Sequence, residues 1–205
     1  MKKTKYLAAC IAAVMALLVL GCRSGDDGID YDAEKWAIAG TTVFRYTGAE
    51  ADVRVPDGVT VIGESAFQYR KGVVTSVTLP ESVKIIGDGA FSDCARLASV
   101  KMPAGLAMLS DRAFRDCKSL ESVEIPGSVK SIGGSAFYGC TSLESVTIGD
   151  GVKSIGEYAF RDCKSLASVK YGGTAEQWKQ IDIDSSAFPS NAKITDKDGK
   201  EITNS

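Results

Sequence analysis

The stretch PGSVKSIGGSAFYGCTSLESVTI, which runs from Pro126 to Ile148, decides the fold because the chain repeats it. The dipeptide Ala-Phe recurs with its phenylalanine at positions 67, 91, 114, 137 and 160, in steps of 24, 23, 23 and 23 residues. Aligned on that phenylalanine, the unit also occurs at Pro80–Met102 and Pro103–Ile125, continues at Gly149–Tyr171, and has a looser, longer copy at Pro56–Leu79. A fixed period of this length indicates a stack of similar coils.

The last part of each unit, L-x-S-V-x-I, contains an alternation of apolar and polar residues. Such alternation is typical of a half-buried strand, whose successive side chains point to opposite faces. We expect five inward pairs: Val77/Leu79, Val100/Met102, Val123/Ile125, Val146/Ile148 and Val169/Tyr171. The V-x-x-I segment, as in Val129 and Ile132, predicts a second inward pair in each coil. Because one coil cannot bury these residues alone, stacking creates continuous columns, one of them formed by Phe67, Phe91, Phe114, Phe137 and Phe160.

A glycine follows the V-x-x-I segment in four of the five units, at Gly63, Gly87, Gly133 and Gly156. We predict that the chain turns a corner there with a positive φ angle, which glycine adopts without steric cost. Ser110 occupies this position in the remaining unit, so its corner is expected to differ.

The repeated units resemble bacterial leucine-rich repeats of the BspA-like type, and Ser128–Ile148 is close to the consensus of that family. The resemblance implies an α/β-type repeat solenoid that is mostly β, a right-handed leucine-rich repeat stack of about six coils. It further implies an N-terminal β capping coil over residues 36–55, five repeats over 56–171, and a C-terminal cap with a short helix over 172–205.

Four cysteines, Cys94, Cys117, Cys140 and Cys163, each follow the repeated phenylalanine by three residues. They are candidates for buried packing thiols, for disulfide partners, or for a metal or catalytic site. Equivalent positions in stacked coils project in parallel, whereas a disulfide needs converging Cβ atoms and a zinc site needs a tetrahedral ligand set. This geometry favours buried, reduced cysteines that pack in a column.

The first 22 residues have the composition of an export signal. Three lysines precede an apolar run from Tyr6 to Leu20, which is shorter than the roughly 20 residues of a bilayer span. The Gly21-Cys22 pair that follows resembles a bacterial lipoprotein signal, which implies a signal peptide over 1–21 and a lipid on Cys22. The alternative is cleavage before an unmodified Cys22. Residues 22–35 are polar, acidic and glycine-containing, and we interpret them as a flexible tether.

The C-terminal part contains two local signals. The run TAEQ at 174–177 has the form of a capping box, and it predicts a short helix over 175–180 that lays Trp178 and Ile181 across the end of the stack. The run DKDG at 196–199 predicts a hairpin turn.

The composition argues against two functional classes. A formal charge of −2 gives no basic surface for nucleic acid. The chain contains no histidine and no G-x-S-x-G elbow, and it shows no pair of carboxylates in an apolar setting. We therefore expect a protein that is not an enzyme and that holds no cofactor and no metal.

The outward residues of the predicted strands are candidates for a binding face. They are polar and of mixed charge: Arg54, Thr78, Ser99, Lys101, Ser122, Glu124, Ser145, Thr147 and Lys170. Such a face would recognise a protein or glycan by hydrogen bonds and charge complementarity, and the alternative is that it only keeps the sheet soluble.

The family resemblance implies an exported lipoprotein exposed on the bacterial surface, which adheres to host or to other bacteria. It would be held in the outer membrane by its lipid alone. The alternative is a periplasm-facing lipoprotein that scaffolds other envelope proteins. We expect the chain to be a monomer.

Overall fold

The structure is a computed structural model that describes residues 34–70 and 72–202. The predicted signal peptide, Cys22 and almost all of the predicted tether lie outside these residues. The described chain winds into about seven coils, and each coil contributes one short strand to each of two sides of the stack. This is the mostly β solenoid predicted from the repeat, with one coil more than expected.

The first sheet has eight strands in the order β1-β2-β4-β6-β8-β10-β12-β14. Its strands are β1 (Trp36–Ala39), β2 (Thr42–Tyr46), β4 (Val61–Ile62), β6 (Ile85–Ile86), β8 (Met108–Leu109), β10 (Ser131–Ile132), β12 (Ser154–Ile155) and β14 (Asp182–Ile183). All neighbours pair in parallel except β1, which runs antiparallel to β2.

The second side of the stack carries seven parallel strands. Three form one ladder, β3 (Asp52–Arg54), β5 (Ser76–Thr78) and β7 (Ser99–Lys101), and four form another, β9 (Ser122–Ile125), β11 (Ser145–Ile148), β13 (Ser168–Tyr171) and β15 (Lys193–Thr195). The ladder is interrupted between β7 and β9. Val100 and Met102 are only half-buried beside this interruption, whereas the other predicted inward pairs are buried.

The interior is built from columns of equivalent side chains. The five predicted phenylalanines are fully buried, and successive ring centroids lie 4.5, 5.1, 5.4 and 5.1 Å apart. From Phe91 to Phe160 the rings are parallel to within 6°. Val129 and Ile132, the example of the second inward pair, are also buried. The predicted columns are confirmed.

The N-terminal end of the stack is closed by an aromatic pair. The Trp36 and Tyr46 rings lie 4.5 Å apart, and Tyr46 continues the phenylalanine column at 5.2 Å from Phe67. The Tyr46 amide donates to the Ala66 carbonyl, just as the Phe67 amide donates to that of Ala90. Tyr46 therefore occupies the place of the repeated phenylalanine in the first coil, and antiparallel β1 covers the edge of the first sheet.

The Glu50 carboxylate stabilises the N-terminal end of the stack, and its contribution to stability depends on pH. The Glu50 carboxylate accepts hydrogen bonds from the Lys35 ammonium and the Tyr46 hydroxyl. These interactions, Lys35 first, lower the pKa of Glu50 from 4.5 to about 2. A folded-state pKa below the unfolded value stabilises the fold at higher pH. Its contribution is complete above about pH 4.5 and is lost as the pH falls through about 2.

We therefore expect Glu50→Gln to lower the stability at pH 7 and to reduce the loss of stability between pH 4.5 and 2. Urea unfolding followed by tryptophan fluorescence, at several pH values, measures both effects. Asp57→Asn, which alters a neighbouring exposed carboxyl, serves as the control. Identical pH slopes for the wild type and Glu50→Gln would contradict the assignment.

The predicted conformation of the corner glycines was wrong. Positive φ angles of 53–57° occur two residues later, at Ser65, Gly89, Arg112, Ser135 and Tyr158. The corner glycines instead allow close approach of neighbouring coils: a Cβ on Gly63 would lie 2.7 Å from the Val43 carbonyl oxygen. The prediction that the corner at Ser110 differs was also wrong for its hydrogen bond to the neighbouring coil. The Ser110 amide donates to the Ile86 carbonyl, just as each corner-glycine amide donates to a carbonyl of the preceding coil.

The predicted C-terminal cap contains the seventh coil. Helix α1 (Ala175–Trp178) has the predicted capping box, since the Thr174 hydroxyl accepts from the Gln177 amide and the Gln177 side chain accepts from the Thr174 amide. The helix is two residues shorter than predicted, and the chain continues past it into β14 and β15. The Phe188 ring stacks 5.0 Å from Phe160, so the phenylalanine column gains a sixth member after a step of 28 residues.

The hairpin predicted at 196–199 is confirmed. Thr195 bridges Glu201 in antiparallel pairing, and Gly199 has a φ of 80°. The buried Asp196 side chain accepts hydrogen bonds from the Asp198 and Lys200 amides. This return of the chain covers the outer edge of β15, because the Ile202 amide donates to the Ile194 carbonyl.

Candidate binding face

The structure brings all the predicted face residues together on the second side of the stack. We call the outward residues of β3, β5, β7, β9, β11, β13 and β15 the seven-strand face. One row consists of Asp52, Ser76, Ser99, Ser122, Ser145, Ser168 and Lys193, and the other of Arg54, Thr78, Lys101, Glu124, Thr147, Lys170 and Thr195. At about 4.8 Å per strand, the face extends over about 29 Å.

The charged residues of this face are not neutralised within the described chain. Arg54, Lys101, Glu124 and Lys170 are exposed, and none forms an ion pair with another residue in 34–70 or 72–202. By contrast, the Asp52 carboxylate accepts hydrogen bonds from the Ser76 and Thr75 hydroxyls, at 2.7 and 3.2 Å. One end of the face is thus held by its own hydrogen bonds, and the charges along the rest can pair with a partner.

This arrangement of exposed polar and charged side chains suits recognition of a polar partner. Within the described ranges, no three side chains of the metal-binding types come together as a metal site, and no helix has the length and apolar character of a membrane span. The serines lie in a row, and the chain has no histidine that could activate them; the carboxylate that contacts Ser76 is that of Asp52, at 2.7 Å. Hydroxyls and charges of both signs on a rigid sheet can bind a complementary polar surface.

The four repeated cysteines form an interior column and lie away from the face. All four are fully buried and free of disulfides. The thiols of Cys117, Cys140 and Cys163 donate to the carbonyls of Phe91, Phe114 and Phe137, at 3.3, 3.2 and 3.1 Å. Each thiol therefore satisfies a backbone carbonyl in the preceding coil, which the sequence reading had not identified.

Burial raises the pKa of the Cys117 thiol well above its ordinary value, and the Cys163 contact together with burial does the same for Cys140. Because the thiolate is the reactive form, we expect these cysteines to react slowly with maleimide in the native protein and rapidly in urea. Mass spectrometry of labelled peptides gives the rate at each position. Ser99→Cys, on the exposed face, provides a fast-reacting reference, and equal native rates at Ser99→Cys and Cys140 would contradict the column.

Sequence reasoning missed a strip of paired side chains in the segments on either side of the repeated phenylalanines. The Arg115 guanidinium lies 4.9 Å from the centre of the Tyr138 ring, and that of Arg161 lies 4.7 Å from the Tyr158 ring. A hydrogen bond to Asp162 raises the pKa of the Tyr138 hydroxyl. A signal for three of these residues, Arg115, Tyr138 and Arg161, was the change of residue type at the position directly after the repeated phenylalanine.

A cleft of about 430 Å³ between the last two coils was also missed. Arg161, Asp162 and Lys164 line one side, and Phe188 and Asn191 line the other. The cleft depends on the seventh coil, which the fixed 23-residue period did not reveal.

Two parallel ladders on a stack of short coils, with interior phenylalanine and cysteine columns, define a leucine-rich repeat solenoid. The family model for the BspA type leucine rich repeat region matches in six copies over residues 37–167. The chain belongs to this family.

Solved structures of bacterial proteins have the same fold. A leucine rich cell surface protein from Faecalibacterium prausnitzii is 34% identical with a TM-score of 0.66, over 70% of this chain and 38% of that one. A T. pallidum leucine rich repeat protein is 36% identical with a TM-score of 0.65, over 69% of this chain and 71% of that one. The pneumococcal vaccine antigen PcpA, 20% identical with a TM-score of 0.61, shares the fold over 80% of this chain and 43% of its own.

This chain thus spans less than half of the F. prausnitzii protein and of PcpA. No protein of curated function matches it.

Proposed function

We propose that this chain is a lipid-anchored protein of the bacterial cell surface that binds a protein or glycan partner through the seven-strand face. The observation that carries the proposal is the register of that face, which displays Arg54, Lys101, Glu124 and Lys170 without ion-pair partners among the described residues. A rigid row of unpaired charges is suited to electrostatic recognition. The lipid anchor is proposed on the resemblance of residues 1–22 to a lipoprotein signal.

Adhesion to host tissue or to other bacteria is the role we propose for this binding. It is supported by family membership and by the likeness to a protein described as a leucine rich cell surface protein. Repeat stacks present long, rigid faces whose contacts are distributed over many coils, which suits binding to an extended partner. We propose no catalytic role, because the chain offers no histidine as a general base for its serines or cysteines.

Surface exposure is tested by protease shaving of intact cells, followed by an immunoblot for the solenoid. Loss of the protein while a periplasmic protein survives supports the proposal. Protection until the envelope is disrupted would reject host contact and assign the chain to a periplasm-facing scaffold.

The face is tested by binding of the full chain to arrays of matrix proteins and glycans. Removing three charges from the face, in the variant Lys101→Ala/Glu124→Ala/Lys170→Ala, should abolish capture. The matched control Lys130→Ala/Lys153→Ala/Glu157→Ala removes the same residue types from exposed positions that flank strands of the first sheet, and it should bind like the wild type. Equal capture by both variants would place the binding site elsewhere.

A further inference from the structure

The first sheet carries an apolar column on its outer face. Val61, Ile85 and Met108 lie directly opposite one another on β4, β6 and β8. Phe44 lies on the neighbouring strand β2, two residues after Thr42, which is the residue level with Val61. Phe44 and Met108 are 42% and 46% exposed and are the exposed large hydrophobic residues of the described chain. We call these four residues the apolar column.

The fold itself does not require apolar residues at these positions. In the next three coils the equivalent outward residues are Ser131, Ser154 and Asp182, in the same register. The apolar character is therefore confined to the N-terminal half of the sheet. A contiguous exposed apolar patch with polar margins is typical of an interaction surface.

The margins of the apolar column carry opposite charges. Lys84 lies on one side, immediately before Ile85, and Glu64, Asp88 and Asp111 lie on the other side, at the ends of the same coils. All four are exposed, and none forms an ion pair with another residue of the described ranges. The Asp111 carboxylate does accept a hydrogen bond from the Gly134 amide, at 2.7 Å.

We propose that this surface binds a second copy of the same chain, about a two-fold axis that runs along the stack. Rotation about that axis reverses the strand direction but keeps each coil level with its equivalent. Lys84 of each copy then faces Asp88 of the other, and the apolar columns meet between them. A two-fold axis along the strands would instead place lysine against lysine, so the charges select the first arrangement.

The position of the N-terminal coil is consistent with this arrangement. Both copies begin their first coil at the same end of the pair, where Trp36 pairs with Tyr46. The thirteen residues from Cys22 to Glu34 are joined by twelve steps that span at most about 40 Å, so two anchored copies can reach one membrane together. This point rests on the proposed lipid anchor. The seven-strand face lies on the other side of each stack and stays free for its partner.

The size of the patch sets the expected strength. Four apolar side chains form a smaller contact than the roughly 800 Å² per partner of a stable free dimer. Anchoring in one membrane raises the local concentration of the two copies, and this favours a contact that is weak in dilute solution. The pairing should therefore be found in membranes and should weaken on dilution.

The test is co-expression of two full-length copies with different C-terminal tags, cross-linking in the membrane, and capture of one tag followed by detection of the other. We expect clear co-capture of the wild type. Ile85→Asp, Lys84→Glu and Asp88→Lys, each introduced into both copies, should reduce it about tenfold, since each places a charge in the apolar contact or opposes like charges. The double variant Lys84→Glu/Asp88→Lys should restore it, because the pairs are then reversed.

Slow maleimide labelling of Cys94 and Cys117 confirms that each variant is folded. The proposal is overturned if the wild type shows no co-capture, if the single variants capture normally, or if the double variant fails to recover. Binding of the wild type to phosphatidylcholine vesicles without co-capture would assign the apolar column to lipid instead. The variant Lys101→Ala/Glu124→Ala/Lys170→Ala, which alters only the seven-strand face, should still show co-capture of the two tagged copies. Failure of the proposed ligand binding and failure of the proposed self-association can therefore be distinguished.

Discussion

Phe137→Ala should lower the free energy of unfolding by about 3–5 kcal/mol, the range for deleting a fully buried aromatic ring. The Phe137 ring has no exposed surface, and it stacks between Phe114 at 5.4 Å and Phe160 at 5.1 Å. Its loss leaves a cavity in the middle of the column and weakens the contacts of one coil with both neighbours. Because coils in a stack contact only their neighbours, a defect in the centre also divides the array into two shorter parts.

Phe188→Ala is the matched control for this prediction. Phe188 belongs to the same column, but it is only partly buried and stacks on one phenylalanine, Phe160. We expect a smaller loss of stability there. Urea unfolding followed by circular dichroism measures both variants, and a break into two transitions would show that the ends unfold separately. A loss for Phe188→Ala as large as that for Phe137→Ala would contradict a continuous, uniformly packed column.

The second large effect is expected at a corner glycine. A Cβ on Gly133 would lie 2.4 Å from the Ser110 carbonyl carbon, 2.5 Å from the Asp111 nitrogen and 2.6 Å from the Ser110 oxygen. All three are backbone atoms, which cannot rotate away as a side chain can. Gly133→Ala must therefore push the fourth and fifth coils apart, and we expect a loss of about 1–3 kcal/mol or more.

Gly72→Ala supplies the comparison, because a Cβ there meets no atom within 4 Å. This variant should be as stable as the wild type in the same urea titration. If Gly133→Ala were equally harmless, the close approach of the two coils would have to be wrong. Thermal unfolding of the two variants side by side gives an independent measure of the difference.

The interior of the fold was predictable because the repeat fixes it. Each buried phenylalanine and cysteine occurs at the same place in a 23-residue unit, so the burial of one position predicts the burial of its equivalents. The outward rows of the second side follow from the same alternation. That these rows bind a partner stays a prediction.

The two ends of the stack were less predictable, because their residues depart from the repeat. Helix α1 lengthens the step from Phe160 to Phe188 to 28 residues, and this hid the seventh coil from a search for a fixed period. At the other end, Tyr46 takes the place of phenylalanine without the preceding alanine of the repeat. The dipeptide that reveals the other coils is therefore missing, and the ring stack was visible only in the structure.

Local conformation and the apolar column were missed for physical reasons. The corner glycines were attributed to positive φ, whereas they are required by the backbone of the neighbouring coil, and sequence spacing does not encode that distance. Val61 and Ile85 are typical strand residues on either face of a sheet. Only the register with Met108 showed that they point outward together.

The uniform step of 23 residues from Phe91 to Phe160 affects how the chain can gain or lose repeats during evolution. Phe114–Val123 and Phe160–Val169, which lie two units apart, differ only by Glu121 against Ala167. Gain of one complete unit would add one strand to each side and lengthen the seven-strand face by about 4.8 Å, with the same neighbours on every column. An insertion of any other length would break the register of all the columns. Gain or loss of whole coils can therefore change the length of the seven-strand face while leaving the interior columns unchanged.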